Sequence, residues 1–173
     1  LGKPEEAIKC FDKAIELDPK YVAAWAYKGI MLNGLGKHEE AIKCYDKAID
    51  LDPKYAIAWI NKGIALGDLG KPEEAVECYD KAIELDPKFR WTWNNKGLVL
   101  HNLGKYEEAI ECYDKAIEID PKYEYSWNNK GLALRNLGKY EEAIDCYDKA
   151  IKLDPKFVIA WNSKGNALDD LGK

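Results

Sequence analysis

Residues 93–121 read WNNKGLVLHNLGKYEEAIECYDKAIEIDP and contain both halves of a unit that recurs along the whole chain. The unit repeats every 34 residues, as its tryptophan, glycine and proline positions show. These positions are Trp25, Trp59, Trp93, Trp127 and Trp161; Gly2, Gly36, Gly70, Gly104, Gly138 and Gly172; and Pro19, Pro53, Pro87, Pro121 and Pro155. A period of this length indicates a linear array of similar units, each in contact with its neighbours only.

Each unit is predicted to hold two helices. After the tryptophan, apolar residues recur at spacings of three and four, which is a helical period, and a Leu-Gly pair then supplies a left-handed C-terminal cap. In the second half, Glu107 and Glu108 lie in the first turn, where carboxylates suit the helix dipole. Pro121 ends that helix, because proline cannot continue it. No strand pattern is present in the sequence, which therefore predicts an all-α chain of about ten helices joined by short turns.

The repeated residues resemble those of the tetratricopeptide repeat (TPR) family over the whole chain. In one unit they are Trp127 and Gly131 in the first helix, then Ala143, Tyr147 and Ala150 in the second, with Pro155 closing. The resemblance implies a right-handed superhelical α-solenoid of helix-turn-helix repeats. It also implies that the first helices line a concave groove that binds a peptide or partner protein.

The chain is predicted to be a single array that starts and stops out of frame with the repeat. A leading second helix (1–21) precedes four complete repeats, 22–55, 56–89, 90–123 and 124–157, and a trailing first helix (158–173) follows. The outer helices read like internal ones rather than polar caps. Two interpretations stay open, a piece of a longer array or a chain whose ends stack head to tail on other copies.

Composition narrows the classes of function. The 173 residues carry 26 Lys and Arg against 31 Asp and Glu, a net charge of -5, which argues against nucleic acid as the main partner. No apolar run approaches the roughly 20 residues of a membrane span, and no signal peptide is visible. No nucleophile-base pair, phosphate-binding loop or metal-ligand cluster is present in the sequence. We therefore expect no catalytic residues, no metal and no cofactor.

Other residues that recur at the same pitch are each expected to have a structural role. The tryptophans are interpreted as core, and the glycine four residues later as a point of close helix approach. The lysines Lys28, Lys62, Lys96, Lys130 and Lys164 fall on the apolar side, so each is expected to pair with the carboxylate of Asp12, Asp46, Asp80, Asp114 or Asp148. The cysteines Cys10, Cys44, Cys78, Cys112 and Cys146 are expected to be buried, unpaired and in a reducing, cytoplasmic compartment.

The first-helix residues that vary between units are the candidate binding positions. The amides Asn61, Asn95 and Asn129 recur at the 34-residue pitch, and Asn94 and Asn128 precede two of them. An amide both donates and accepts, so such a ladder is suited to the backbone of an extended peptide; a similar ladder is known in the TPR superhelix of O-GlcNAc transferases. The remaining candidates are Ile57, Ile60, Ile64, Trp91, Leu98, Tyr125, Leu132 and Arg135, of which only the last is cationic. An acidic chaperone tail, which related TPR domains hold with Lys and Arg, is therefore a poor candidate partner.

The leading hypothesis is a non-catalytic scaffold that binds a peptide or partner protein in the groove through the asparagine ladder and the apolar and aromatic residues. The alternatives are a self-assembling array that stacks end to end, and the TPR segment of a larger protein with a catalytic domain elsewhere. Neither nucleic acid nor a membrane is expected as a partner.

Overall fold

The computed structural model describes residues 3–172, and its regular structure within that range is entirely helical. The ten helices are α1 (Pro4–Leu17), α2 (Val22–Gly34), α3 (His38–Leu51), α4 (Ala56–Asp68), α5 (Pro72–Leu85), α6 (Arg90–Asn102), α7 (Tyr106–Ile119), α8 (Glu124–Asn136), α9 (Tyr140–Leu153) and α10 (Val158–Leu171). The even-numbered helices are the first helices of the repeat, and the odd-numbered helices are the second. The prediction of an all-α chain of helix pairs is confirmed.

The Leu-Gly pair ends a first helix as the sequence predicts. Gly138 has φ +74°, in the left-handed region, and Gly36, Gly70 and Gly104 have similar values. This geometry lets the Lys139 backbone N–H donate to the carbonyl of Leu134 at 3.0 Å, which satisfies one of the carbonyls left open at the helix end. The turn to the second helix is consequently only a few residues long.

The Asp-Pro turn after a second helix is closed by two hydrogen bonds. Asp120 Oδ1 accepts from the backbone N–H of Lys122 at 3.0 Å, and Trp127 Nε1 donates to the Pro121 carbonyl at 3.0 Å. The same indole-to-proline bond forms at Trp25, Trp59 and Trp161. The fixed spacing of six residues between proline and tryptophan therefore has a structural cause: it ties the start of a first helix to the preceding turn.

First and second helices pack closely at the repeated glycine. A Cβ atom on Gly97 would lie 2.6 Å from Cε1 of Tyr113, and Gly131 stands in the same relation to Tyr147. Both tyrosine rings are fully buried. Each glycine therefore makes room for a ring, which confirms the expected close approach.

The chain divides into two compact units, unit 1 (Leu1–Pro87) and unit 2 (Lys88–Lys173). In unit 1, each of α1 to α5 packs on its neighbour in sequence, and α2 also contacts α4. In unit 2, α6 to α10 pack in the same way, with α6 and α10 both touching α8. The division into four complete repeats with two outer helices stays a prediction.

The lysines on the apolar side reach carboxylates, as expected. Lys62 Nζ lies 2.6 Å from Asp46 Oδ1, and the pairs formed by Lys28, Lys130 and Lys164 have the same separation. The lysine side chains are about one quarter exposed, so their stems are covered while the ammonium groups stay near water. For Lys28, the hydrogen bond to Asp12 raises the pKa above its ordinary value.

Two expectations about buried residues are wrong at the outermost helices. Cys10 is exposed, whereas the other four cysteines are buried, because α1 packs on α2 alone among the described helices. Trp161 of α10 is 53% exposed, whereas Trp127 packs on the buried core of α8 and α9. Burial of these residues thus depends on neighbouring helices rather than on their own sequence.

Candidate peptide-binding face

One side of each first helix carries the residues that vary between repeats, and we call it the variable face. It contains Ile57, Asn61 and Ile64 on α4; Trp91, Asn95 and Leu98 on α6; and Tyr125, Asn129 and Leu132 on α8. Spacings of four and three residues place each set on one side of its helix. The repeated glycines Gly63, Gly97 and Gly131 lie outside these sets and are buried.

In unit 1 the variable face is mainly aliphatic. Ile57 is 42% exposed, Ile64 is half-buried, and Ile60 is buried with 8% of its surface exposed. Asn61 Nδ2 donates to the backbone carbonyl of Ile57 at 2.8 Å, which leaves its oxygen to accept. The predicted site residue Ile60 therefore lies within the packing, while Ile57 and Asn61 are accessible.

In unit 2 the variable face carries a row of aromatic rings, and we call Trp91, Tyr123, Tyr125 and Phe157 the aromatic strip. Successive ring centres are 5.0, 5.5 and 4.8 Å apart. Trp91 and Tyr125 are 41% and 43% exposed, whereas Tyr123 and Phe157 are buried. Two outward rings are thus held in place by two buried ones.

Arg90 holds one end of the aromatic strip. Its guanidinium carbon lies 5.3 Å from the centre of the Trp91 ring and 5.0 Å from that of Tyr123. Its Nε lies 3.3 Å from Asp120 Oδ2, an ion pair without an aligned hydrogen bond. Burial raises the pKa of Tyr123 to about 12, partly offset by Arg90, so its hydroxyl stays neutral near pH 7. The positive charge of Arg90, which lies beside the strip, is neutralised by the carboxylate of Asp120.

The asparagines of unit 2 fall into two groups. Asn94 and Asn128 are each 3% exposed, so these two predicted site residues lie inside the helix packing and do not reach the surface. Asn94 Oδ1 accepts from Ser126 Oγ and from Asn129 Nδ2, both at 3.2 Å. Asn95 makes no hydrogen bond to any described residue.

The last turn of the first helices is polar and links neighbouring repeats. Arg135 Nε donates to Asp170 Oδ2 at 2.6 Å, and Asn136 Nδ2 lies 3.1 Å from His101 Nε2. Burial lowers the pKa of His101 below its ordinary value. Since Arg135 is paired, the cation that the sequence singled out on this face is not free to bind an acidic ligand. Leu98 is 39% exposed above this turn, and Leu132 is half-buried.

Arg90, Tyr123 and Phe157 were not predicted as site residues from the sequence. A signal for the rings was present, because Phe89, Tyr123 and Phe157 recur at the 34-residue pitch just before the first helices. Nothing in the sequence showed that Arg90 would lie against two of the rings, since that contact depends on the next helix pair.

Each unit also carries a cavity on the side of the first helix away from the variable face. The unit 1 cavity measures about 410 Å³ and is lined by Trp59, Lys62 and Glu77 among others, and unit 2 has an equivalent of about 440 Å³. In unit 1, Lys62 Nζ already lies 5.8 Å from the centre of the Trp59 ring and in contact with Asp46. The ammonium group of Lys62 therefore already occupies the contacts that Trp59 and Asp46 offer in this cavity.

Residues 3–172 contain neither a candidate metal site nor a candidate membrane span. That range contains no group of three or more His, Cys, Asp or Glu side chains placed to hold a metal ion. None of the described helices has the length and apolar character that crossing a membrane requires.

Comparison with protein families gives matches along most of the chain. A family described as Tetratricopeptide repeat matches residues 56–89, 91–123 and 124–157. A family described as TPR repeat matches 29–70, and another Tetratricopeptide repeat family matches 10–43 and 146–173. Among curated protein sequences, none matches significantly.

Solved structures of two proteins resemble this chain closely. A crystal structure of MamA has a TM-score of 0.80 and 28% sequence identity, over 86% of this chain and 87% of that one. The structure of YrrB, a TPR protein with an unusual peptide-binding site, has a TM-score of 0.79 and 26% identity, over 94% and 84%. MamA 41-end from Desulfovibrio magneticus RS-1 has a TM-score of 0.82 over 90% and 88%, and its 22% identity makes this a likeness of fold alone.

Proposed function

The chain belongs to the tetratricopeptide repeat family, and from that membership we propose that it is a non-catalytic interaction scaffold that binds a peptide or partner protein along the variable face. The observation that carries the proposal is the exposure of large apolar side chains at the positions that vary. Ile57, Trp91, Leu98 and Tyr125 are each about 40% exposed. Large apolar side chains that are exposed on the variable face of a helix favour contact with a partner.

The amides supply polar contacts beside these side chains. Asn95 offers both a donor and an acceptor, and Asn129 and Asn61 each keep an oxygen after using Nδ2 within the chain. An extended peptide has a backbone N–H and C=O at each residue, so amides can bind it with little dependence on its sequence. Asn94 and Asn128 support this face from within and are not part of the proposed contact.

Three features favour a scaffold without catalysis. Burial raises the pKa of Cys78 and Cys146 to about 11, which keeps these thiols protonated and poor as nucleophiles. His101 lies beside Asn136 and the Tyr106 ring, a setting without a nucleophile. The similarity to YrrB, a TPR protein with an unusual peptide-binding site, agrees with a binding role.

The proposal is tested with a displayed library of random linear peptides selected on the folded chain. A selected peptide is then titrated by calorimetry against Trp91→Ala/Tyr125→Ala and against Asn61→Ala/Asn95→Ala/Asn129→Ala. We expect the aromatic pair to weaken binding by about tenfold or more, equivalent to about 1.4 kcal/mol, and the asparagine set by less.

Glu111→Ala is the matched control, because Glu111 is exposed on a second helix. Equal affinity of all variants for the selected peptide would place the ligand elsewhere and refute the proposed face. End-to-end self-association stays a prediction, and light scattering over a range of concentrations tests it separately.

A further inference from the structure

We propose, on the basis of the function proposed above, that the aromatic strip of unit 2 binds an uncharged, proline-rich segment in the polyproline II conformation. The first argument is the shape of the strip. Trp91 and Tyr125 project outward and are held by ring contacts to Tyr123 and Phe157, with centres 4.8–5.5 Å apart. Aromatic-lined surfaces dock polyproline II ligands because both partners are already ordered and little entropy is lost.

The second argument is the hydrogen-bonding character of the strip. Trp91 Nε1 makes no hydrogen bond to a described residue, and an indole is a donor only. Asn95 beside it adds two further donors on Nδ2. The strip therefore needs a ligand rich in acceptors. A polyproline II chain has no internal hydrogen bonds, so its carbonyls are free, and proline adds no N–H that must be satisfied.

Hydrogen bonds from an indole N–H to a proline carbonyl already occur within the chain. Four tryptophans at the repeated position donate Nε1 to the carbonyl of a proline at 3.0–3.1 Å. Trp91 is the one tryptophan outside the repeated position, and its indole N–H lacks such a partner within the described residues. A proline residue from a ligand would give Trp91 the acceptor that Trp25 and Trp127 find in their own turns.

The charged residues beside the aromatic strip also favour a ligand without negative charge. Arg90 is paired with Asp120, and Arg135 with Asp170, so neither of these two cations is open to an acidic ligand. Glu124, which follows Tyr123, has no ion-pair partner among the described residues and would repel one. The strip thus complements a ligand without negative charge, as a run of prolines is.

The experiment titrates the chain with N-acetylated, C-amidated decaproline and with a Gly/Ser decamer of equal length. Decaproline is expected to bind at least about tenfold more tightly than the Gly/Ser decamer. Trp91→Ile, which places the unit 1 residue at this position, is expected to remove that difference. Trp91→Phe keeps a ring without the N–H and is expected to lose about threefold to tenfold.

Glu111→Ala is the control, since Glu111 is exposed on the second helix α7 and lies outside the variable face, and it should leave decaproline binding unchanged. Circular dichroism of each variant shows whether the helices remain intact. Equal binding of the two decamers, or full binding by Trp91→Ile, would overturn the inference. If decaproline fails while a selected library peptide binds the variable face, the proline assignment is wrong and the proposed function stands; if neither binds, both fail.

Discussion

Two junctions in unit 2, between α6 and α8 and between α8 and α10, differ although they are built from equivalent positions. At the first, buried Asn94 accepts two hydrogen bonds, from Ser126 Oγ and Asn129 Nδ2. At the second, Asn128 is equally buried, and its Oδ1 has no hydrogen-bond partner among the described residues. The position equivalent to Ser126 is occupied there by Ala160.

The comparison shows that position in the repeat sets burial, whereas the next repeat decides whether a buried polar group is satisfied. Asn94 and Asn128 are alike in identity and exposure, so their own sequence does not separate them. A buried polar atom without a partner costs about 1–3 kcal/mol, so the two junctions should differ measurably in stability.

The repeated glycine gives the largest expected difference, here between the inner first helix α8 and the outer first helix α10. In Gly131→Ala the added Cβ would lie 2.6 Å from Cε1 of the fully buried Tyr147, whereas Gly165 in α10 has no atom within 4 Å of that point. We expect Gly131→Ala to destabilise the chain by about 2 kcal/mol through overpacking. Gly165→Ala should instead stabilise it by roughly 0.5–1 kcal/mol, because alanine favours a helix.

Urea denaturation of both glycine variants checks this difference. A common loss of stability in the two variants would mean that the ring contact is not what selects glycine.

Replacement of the buried asparagines should act in opposite directions. Leucine is close to asparagine in shape and removes the polar atoms. Asn94→Leu would leave the fully buried Ser126 hydroxyl without its acceptor, for an expected loss of about 1–2 kcal/mol. Asn128→Leu removes an unpaired oxygen and is expected to gain about 1 kcal/mol.

Thermal unfolding of the two leucine variants under identical conditions measures the contrast. The same sign for both would show that the hydrogen bonds of Asn94 do not distinguish the junctions.

The smallest expected effect on stability comes from copying the serine of the α6–α8 junction into the α8–α10 junction. Ala160→Ser places a hydroxyl where Ser126 stands relative to Asn94, and the bond to Asn128 Oδ1 should stabilise the chain by about 0.5–1 kcal/mol. The double variant Asn128→Leu/Ala160→Ser is the control, because the hydroxyl has no acceptor there. A gain that persists in the double variant would rule out the proposed hydrogen bond.

The buried face of each helix was predictable from sequence, and much of the variable face was not. Gly97 and Tyr113, and the pair formed by Lys130 and Asp114, follow from the period because each contact repeats with identical residues. Ile60, Asn94 and Asn128 were expected at the surface and are buried. A helical wheel places them at the border of the two faces, and only the distance to the neighbouring first helix decides which side of that border they occupy.

The sequence by itself determined the repeat, the helix ends and the partners of the constant residues, because these depend on local turns and on contacts that recur every 34 residues. The tertiary structure alone decided the chemistry of the variable face: that Arg90 lies against Trp91 and Tyr123, that Arg135 is paired with Asp170, and that Asn95 makes no hydrogen bond within residues 3–172. Each of these depends on unlike residues from neighbouring repeats meeting in space. Contacts of this kind leave no periodic signal in the sequence.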